Sequence, residues 1–164
     1  MNKLAVFKTP EGKARFIKLY DASLARWPVP YEELNIPTSF GITHIIASGN
    51  PDEKPLFLMH GFRGTAIMWR SNVADLSKYY RIYAIDTIGE PNKSEPALPV
   101  RNRHEFAQWL LEIFNKLKIT KPTFIYQDIR NFGRTTSQAN KAIRCWKKNG
   151  LITRTGWNSY SILK

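Results

Sequence analysis

The stretch Leu56–Ser94, LFLMHGFRGTAIMWRSNVADLSKYYRIYAIDTIGEPNKS, decides how the rest of the chain is read. An apolar run, Leu56-Phe57-Leu58-Met59, stops at His60-Gly61, and a second run from Tyr79 to Ile85 stops at Asp86 before a Gly/Pro loop. Short apolar runs without strict alternation, closed by turn residues, predict strands buried on both faces. Trp69 to Leu76 has the length and apolar spacing of a helix crossing between them. Strand, helix and strand in that order predict a parallel unit with a right-handed crossover. Ligands of such sheets bind at the carboxyl ends of the strands, where His60-Gly61 and Asp86-Thr87 both fall.

Outward from this unit the pattern continues. Thr9-Pro10-Glu11 starts a helix: a capping hydroxyl, proline in the first turn, and an acid at the positive dipole end. Phe16, Ile17, Tyr20 and Leu24 share one face of it up to Arg26, and Trp27-Pro28-Val29-Pro30 ends it. Glu32 to Ser48 reads as a hairpin turning at Ser39-Phe40-Gly41, with Pro37 placing its first strand at a sheet edge or at its own end. After a Pro-rich loop over 90–100, Asn102 and Glu105 resemble a capping box, and Phe106, Leu110, Ile113, Phe114 and Leu117 follow at helical spacing. Pro122 to Ile125 is one more short buried strand.

The runs LFLMHGFRG, MW and YRIYAIDTIGEPNKS, in this order and spacing, resemble the front half of an α/β-hydrolase of the esterase and lipase kind, over about residues 10–125. The resemblance implies that the HG loop helps to build an oxyanion hole, carried here by His60, Gly61 and Phe62, the last through its backbone N–H. It also implies a Gly-x-Ser-x-Gly nucleophile elbow directly after the strand at Ile125, whose glycines allow a strained turn to expose the hydroxyl. Tyr126-Gln127-Asp128-Ile129-Arg130 stand there instead, and no Gly-x-Ser-x-Gly occurs anywhere in the chain. The family's acid and histidine come later still, so no catalytic residue is carried over. Pro91 also stands where the loop after the fourth strand often has a second glycine.

Charge and composition narrow the classes. Of 164 residues 43% are apolar and 13% aromatic, enough for a packed core and too much for wholesale disorder. No apolar run is long enough to span a bilayer, and MNKLAVFKTPEGK is too polar for a signal peptide, which makes a cytoplasmic protein the expectation. Cys145, the single cysteine, excludes an internal disulfide and a cysteine metal cluster. No metal or other cofactor is expected. The net charge of +12 is uneven: residues 126–164 hold eight Lys/Arg and one acid, a net of +7 that leaves +5 for the first 125.

That basic segment admits a second reading. A short helix over 126–132, a helix from the hydroxyls at 135–137 to Asn149-Gly150, and a hairpin over 151–163 resemble the core of a winged-helix DNA-binding domain. The boundary is set at 125, or near 103 if the helix from His104 belongs to the tail. Lys141, Arg144 and Lys148 fall opposite the apolar face of Ala139, Ala142, Ile143 and Trp146. With Arg134, Lys147 and Arg154 they are candidate phosphate contacts, and Ser137 and Gln138 candidate base contacts. The plainer alternative is a solvated basic surface.

The fold expected is therefore α/β: a partial, mostly parallel hydrolase-like sheet with flanking helices, then a small basic winged-helix-like segment. The function expected is that of a truncated hydrolase-like protein, inactive alone, whose tail binds nucleic acid and whose exposed sheet edge at 122–125 offers a protein partner a place to pair. The alternatives are a serine esterase completed by a partner chain, and a rearranged reading frame with no selected function. Within the loops His60 and Asp86 have structural roles, His44 and His104 are ordinary surface or partly buried histidines, and Met59, Met68, Trp69, Trp109 and Phe114 are core.

Overall fold

A computed structural model describes residues 6–120 and, as backbone alone, the strands at 123–125, 152–156 and 159–162. The elements are α1 (Pro10–Leu24), β1 (Tyr31–Thr38), β2 (Gly41–Ser48), β3 (Pro55–Met59), α2 (Arg70–Leu76, led by a 3₁₀ turn at Ala66–Trp69), β4 (Arg81–Ile85), β5 (Glu95–Pro96), α3 (Arg103–Lys116), β6 (Thr123–Ile125), β7 (Ile152–Gly156) and β8 (Ser159–Ile162). The strands form one sheet in the order β1-β2-β4-β3-β6-β8-β7, with β5 beside β2.

The central strands β4, β3 and β6 are parallel. The expectation of a mostly parallel sheet needs correcting, however: β1–β2, β2–β4, β2–β5, β6–β8 and β7–β8 pair antiparallel, so the sheet is mixed. The cause is the two hairpins, which fold back on themselves at either side of the parallel centre and can only pair antiparallel. The edge of β6 expected to lie open is paired with β8. The hairpin read as a wing is thus placed in this sheet, whereas the helices of the winged-helix reading lie outside the described residues.

Alternation along the strands builds two cores. Phe57 and Met59 of β3 face one side with Ile45, Ile85 and the α3 residues Phe106, Trp109, Leu110, Ile113 and Phe114. Leu56 and Leu58 face the other with Ile46, Ile82, Ala84, Val73 of α2 and Tyr20 and Leu24 of α1. A strand covered on both sides must be apolar throughout, which is why Leu56–Met59 showed no alternation.

The helix ends form as their residues dictate. Thr9 Oγ1 accepts the Gly12 N–H at 3.0 Å. Asn102 Oδ1 accepts from His104 and Glu105, both at 3.0 Å, while the Glu105 carboxylate turns back to the Arg101 N–H at 2.6 Å. Gly41 closes the β1–β2 turn with φ +127°, and a Cβ there would lie 2.2 Å from the Glu95 carbonyl oxygen of β5. Glycine is required by both the backbone conformation and the close approach.

Candidate functional site

Two loops meet at the carboxyl ends of β3 and β4. Gly61 to Gly64 is a tight turn closed by the Gly64 N–H donating to the Gly61 carbonyl at 2.8 Å, with Arg63 left-handed at φ +60°. The Arg63 N–H donates to Glu90 Oε2 at 2.9 Å, and its guanidinium lies over the Phe62 ring.

His60 is buried and joins the two strand ends. Its Nδ1 lies 2.9 Å from the Gly61 carbonyl oxygen, and its Nε2 accepts the Thr87 N–H at 3.0 Å. A backbone N–H can only donate, so Nε2 is the acceptor and Nδ1 the donor. Both nitrogens are engaged by backbone, which is the structural role read for this residue. Phe62 is 75% exposed, and no described residue accepts its N–H.

Asp86 has no solvent exposure. Oδ1 accepts the Ala66 N–H at 2.8 Å, where the 3₁₀ turn starts, and Oδ2 lies 2.9 Å from His44 Nδ1. Its backbone carbonyl accepts the Ser94 hydroxyl at 2.6 Å, and Ser94 Oγ in turn accepts the His44 N–H at 2.9 Å. Ser94 is therefore occupied as a brace between β2 and the loop after β4. Thr87 Oγ1 and Trp69 Nε1, both buried, have no partner among the described residues.

The sequence reading missed His44. It is 2% exposed, with Glu33 Oε2 2.8 Å from Nε2 and Asp86 on Nδ1. Lys93 Nζ lies 2.6 Å from both Glu33 and Asp21 and over the Tyr20 ring. Burial raises the Glu33 carboxyl, but hydrogen bonds from Lys93 and His44 outweigh that and hold it below the usual range. Burial lowers the Lys93 ammonium, yet the Asp21 and Glu33 carboxylates leave it raised. Burial first, and then the Asp86 charge, push the Tyr20 hydroxyl far above the usual tyrosine range. These residues stand on α1, β1, β2 and the loop after β4, and no local spacing signals that they meet. His104 is exposed, as read. Met68 corrects the reading of it as core: it is 60% exposed on the 3₁₀ turn before α2, with its sulfur over Gly64 of the HG loop.

Among the described residues no group of His, Cys, Asp and Glu could hold a metal ion, and no helix is long and apolar enough to cross a membrane. Arg134, Ser137, Gln138, Lys141, Arg144, Lys147 and Lys148 lie outside the described residues, and Arg154 is placed by its backbone alone, on β7.

No family model matches the chain. It is 45% identical over 111 residues to the uncharacterised carboxylesterase nap of Bacillus subtilis (strain 168), covering 68% of this chain and 37% of that protein. It is 42% identical over 111 residues to the carboxylesterase YbfK of the same organism, covering 68% of this chain and 38% of the other. The crystal structure of naproxen esterase (carboxylesterase NP) from Bacillus subtilis superposes with a TM-score of 0.68 at 43% identity, over 73% of this chain and 41% of that one. The chain thus spans about two fifths of the length of the curated relatives it matches. The N-terminal part of this chain is homologous to carboxylesterases of the α/β-hydrolase fold.

Proposed function

We propose that this chain is an esterase-derived scaffold that does not hydrolyse esters by itself. The observation that carries the reading is a mismatch at one end of the sheet. The loop after β3 presents the Phe62 N–H, which no described residue accepts. Tyr126 to Arg130, after β6, supply no serine, cysteine or threonine to attack a carbonyl held there. His60 and Gly61 shape the loop and Phe62 supplies the oxyanion donor. Such a donor stabilises charge that develops only after nucleophilic attack, so without the attacking group it accelerates nothing. His60 cannot replace the missing base, since both its nitrogens are tied to backbone.

The purified chain, offered a chromogenic carboxylic ester and a naproxen ester, is expected to give no turnover above buffer. Turnover that a serine-directed phosphonate abolishes would overturn the reading. A second reading, in which another chain supplies the nucleophile, is favoured by the Phe62 N–H that no described residue accepts. It predicts turnover only on mixing with that chain.

The basic segment belongs to the same proposal. Arg134, Lys141, Arg144, Lys147, Lys148 and Arg154 would pair with phosphates, and Ser137 and Gln138 would meet base edges. Retardation of duplex DNA should weaken steeply with salt and vanish in the charge-reversed Lys141/Arg144/Lys148 triple variant. With the β6 edge taken by β8, a protein partner pairing along an outer strand of the sheet, and a cytoplasmic location, complete the proposal. A partner that is a second copy would appear as a concentration-dependent oligomer in light scattering.

A further inference from the structure

The sheet topology assigns a face to the connection between β6 and β7. Both strands pair antiparallel with β8, so they run parallel to one another with β8 between them. Residues 126–151, which join them, are a parallel crossover, and they exceed the dozen or so residues that such a connection needs. Crossovers of this kind are right-handed almost without exception, because a right-twisted strand leads its connection back onto the sheet only that way.

The crossovers through α2 and α3 identify the face. Strand polarity is the same in β3, β4, β6 and β7. From β3 to β4 the chain steps toward β1, and α2 lies on the face of Leu56, Leu58 and Val73. From β4 to β6 it steps the other way, across β3, and α3 lies on the opposite face with Phe57 and Trp109. Equal hand with opposite step gives opposite faces, as these two helices show. The step from β6 to β7, across β8, has the direction of the step from β4 to β6, so its connection belongs on the α3 face.

The spacing suits a second helix there. The crossover through α3 is centred on β3 and the next one on β8, two strands further along. Two strand spacings come to about 9.5 Å, inside the range of about 8–10 Å between packed helix axes. On its β1 side α3 is already held, since Glu112 accepts the Ser39 N–H at 2.6 Å and the Ser39 hydroxyl at 2.7 Å. At about 100° per residue Ala107 and Leu111 fall on the other flank, where Leu111, an apolar side chain, is 36% exposed.

We propose that this flank of α3 is the docking surface for the chain's own residues 126–151. The contact is made by Ala139, Ala142, Ile143 and Trp146, the apolar face of the helix read over 135–149. Lys141, Arg144 and Lys148, opposite that face, are then turned away from the sheet. The segment is in this assignment a covering layer of the α/β sheet and not a free-standing winged helix. The docking holds whether or not those cations meet a polyanion.

Paramagnetic broadening in the full-length chain tests this. A nitroxide on Lys141→Cys, in a Cys145→Ser background, should broaden the amides of α3 around Ala107–Leu111 more strongly than those of α1 and α2 on the other face. Equal or stronger broadening on α1 and α2, or none on α3, overturns the proposal. Mixing nitroxide-bearing chain with ¹⁵N-labelled chain separates the occupants: α3 broadened between molecules means that a second copy sits there, which overturns it too. Leu111→Asp sets a charge on the flank and should release the segment. The α3 broadening is then lost, and trypsin cleavage between Arg134 and Lys148 accelerates about tenfold or more, the factor matching one lost leucine contact. Unchanged broadening and cleavage in this variant refute the contact with α3. Should Leu111→Asp fail to fold, the two broadening patterns without it decide between the same outcomes.

Discussion

Replacing His60 with leucine removes two hydrogen bonds while keeping nearly the same volume at a position only 5% exposed. The Thr87 N–H, on a residue 9% exposed, would lose its acceptor. An orphaned buried donor costs about 1–3 kcal/mol. The Gly61 carbonyl is half-buried, so water replaces part of the bond from Nδ1, and its loss adds about 0.5 kcal/mol, the low end for a hydrogen bond. Together these give about 1.5–3.5 kcal/mol, with little cavity term because leucine fills the space. At about 2–4 °C per kcal/mol for a chain of this size, the melting temperature should fall by about 3–14 °C. Glutamine separates the two bonds, since its Oε1 can occupy the place of Nε2 and accept from Thr87. His60→Gln should therefore recover about 1 kcal/mol of the loss, the usual net worth of one hydrogen bond. Urea unfolding followed by far-ultraviolet circular dichroism measures both, with the slope against urea unchanged if the unfolded ensembles match. A leucine variant within about 0.5 kcal/mol of wild type, the ordinary scatter of surface substitutions, would refute the bridging role.

Trp109 Nε1 donates to Thr43 Oγ1 at 2.7 Å, with both residues at 0% exposure, so the single changes Trp109→Phe and Thr43→Val should each leave a buried partner unsatisfied. The double variant should then be less destabilised than the sum by about 1 kcal/mol in a double-mutant cycle, and strict additivity would remove this bond from the link between α3 and β2. Gly41→Ala should cost about 3 kcal/mol in urea unfolding, from positive φ and overpacking together, because the new Cβ meets the fixed Glu95 carbonyl and not a movable side chain. Burial raises the Glu112 carboxyl, but the Ser39 N–H, the Ser39 hydroxyl and Gln108 outweigh it and hold the group below the usual glutamate range. A carboxyl depressed in the folded state contributes stability above its unfolded value and loses it as pH falls through the folded one. Glu112→Gln should thus flatten the fall in stability below about pH 4.3, the ordinary glutamate value, and parallel acid limbs for the two proteins would contradict this.

Much of the architecture could be read from the residues in order. Leu56–Met59 and Arg81–Ile85 announced strands by being apolar without alternation, Thr9-Pro10 and Asn102 announced helix starts, and the HG loop announced the end of β3. These are local signals: a cap, a turn or a doubly buried strand is determined by neighbours within a few residues. His60 was also assigned its structural role from its place in that loop.

Long-range pairing was not legible in the same way. The hairpin at 152–162 had a clear turn signal, but the sequence offered no indication that β8 would lie against β6, because a strand's partner is chosen by edge availability across the fold. Met68 was read as core from its apolar character alone, yet on the 3₁₀ turn, tied down at Ala66 by Asp86, it lies 60% exposed over Gly64. His44 is the fullest case. Along β2 it follows Thr43 and precedes the apolar Ile45-Ile46-Ala47, and its partners are Glu33, eleven positions away, and Asp86, forty-two away. The sequence by itself determined which residues form strands and where their ends carry polar groups. Only the folded sheet, by bringing β1, β2 and the end of β4 side by side, decided that Glu33, His44 and Asp86 meet, because electrostatic contact depends on distance in space and is blind to separation along the chain.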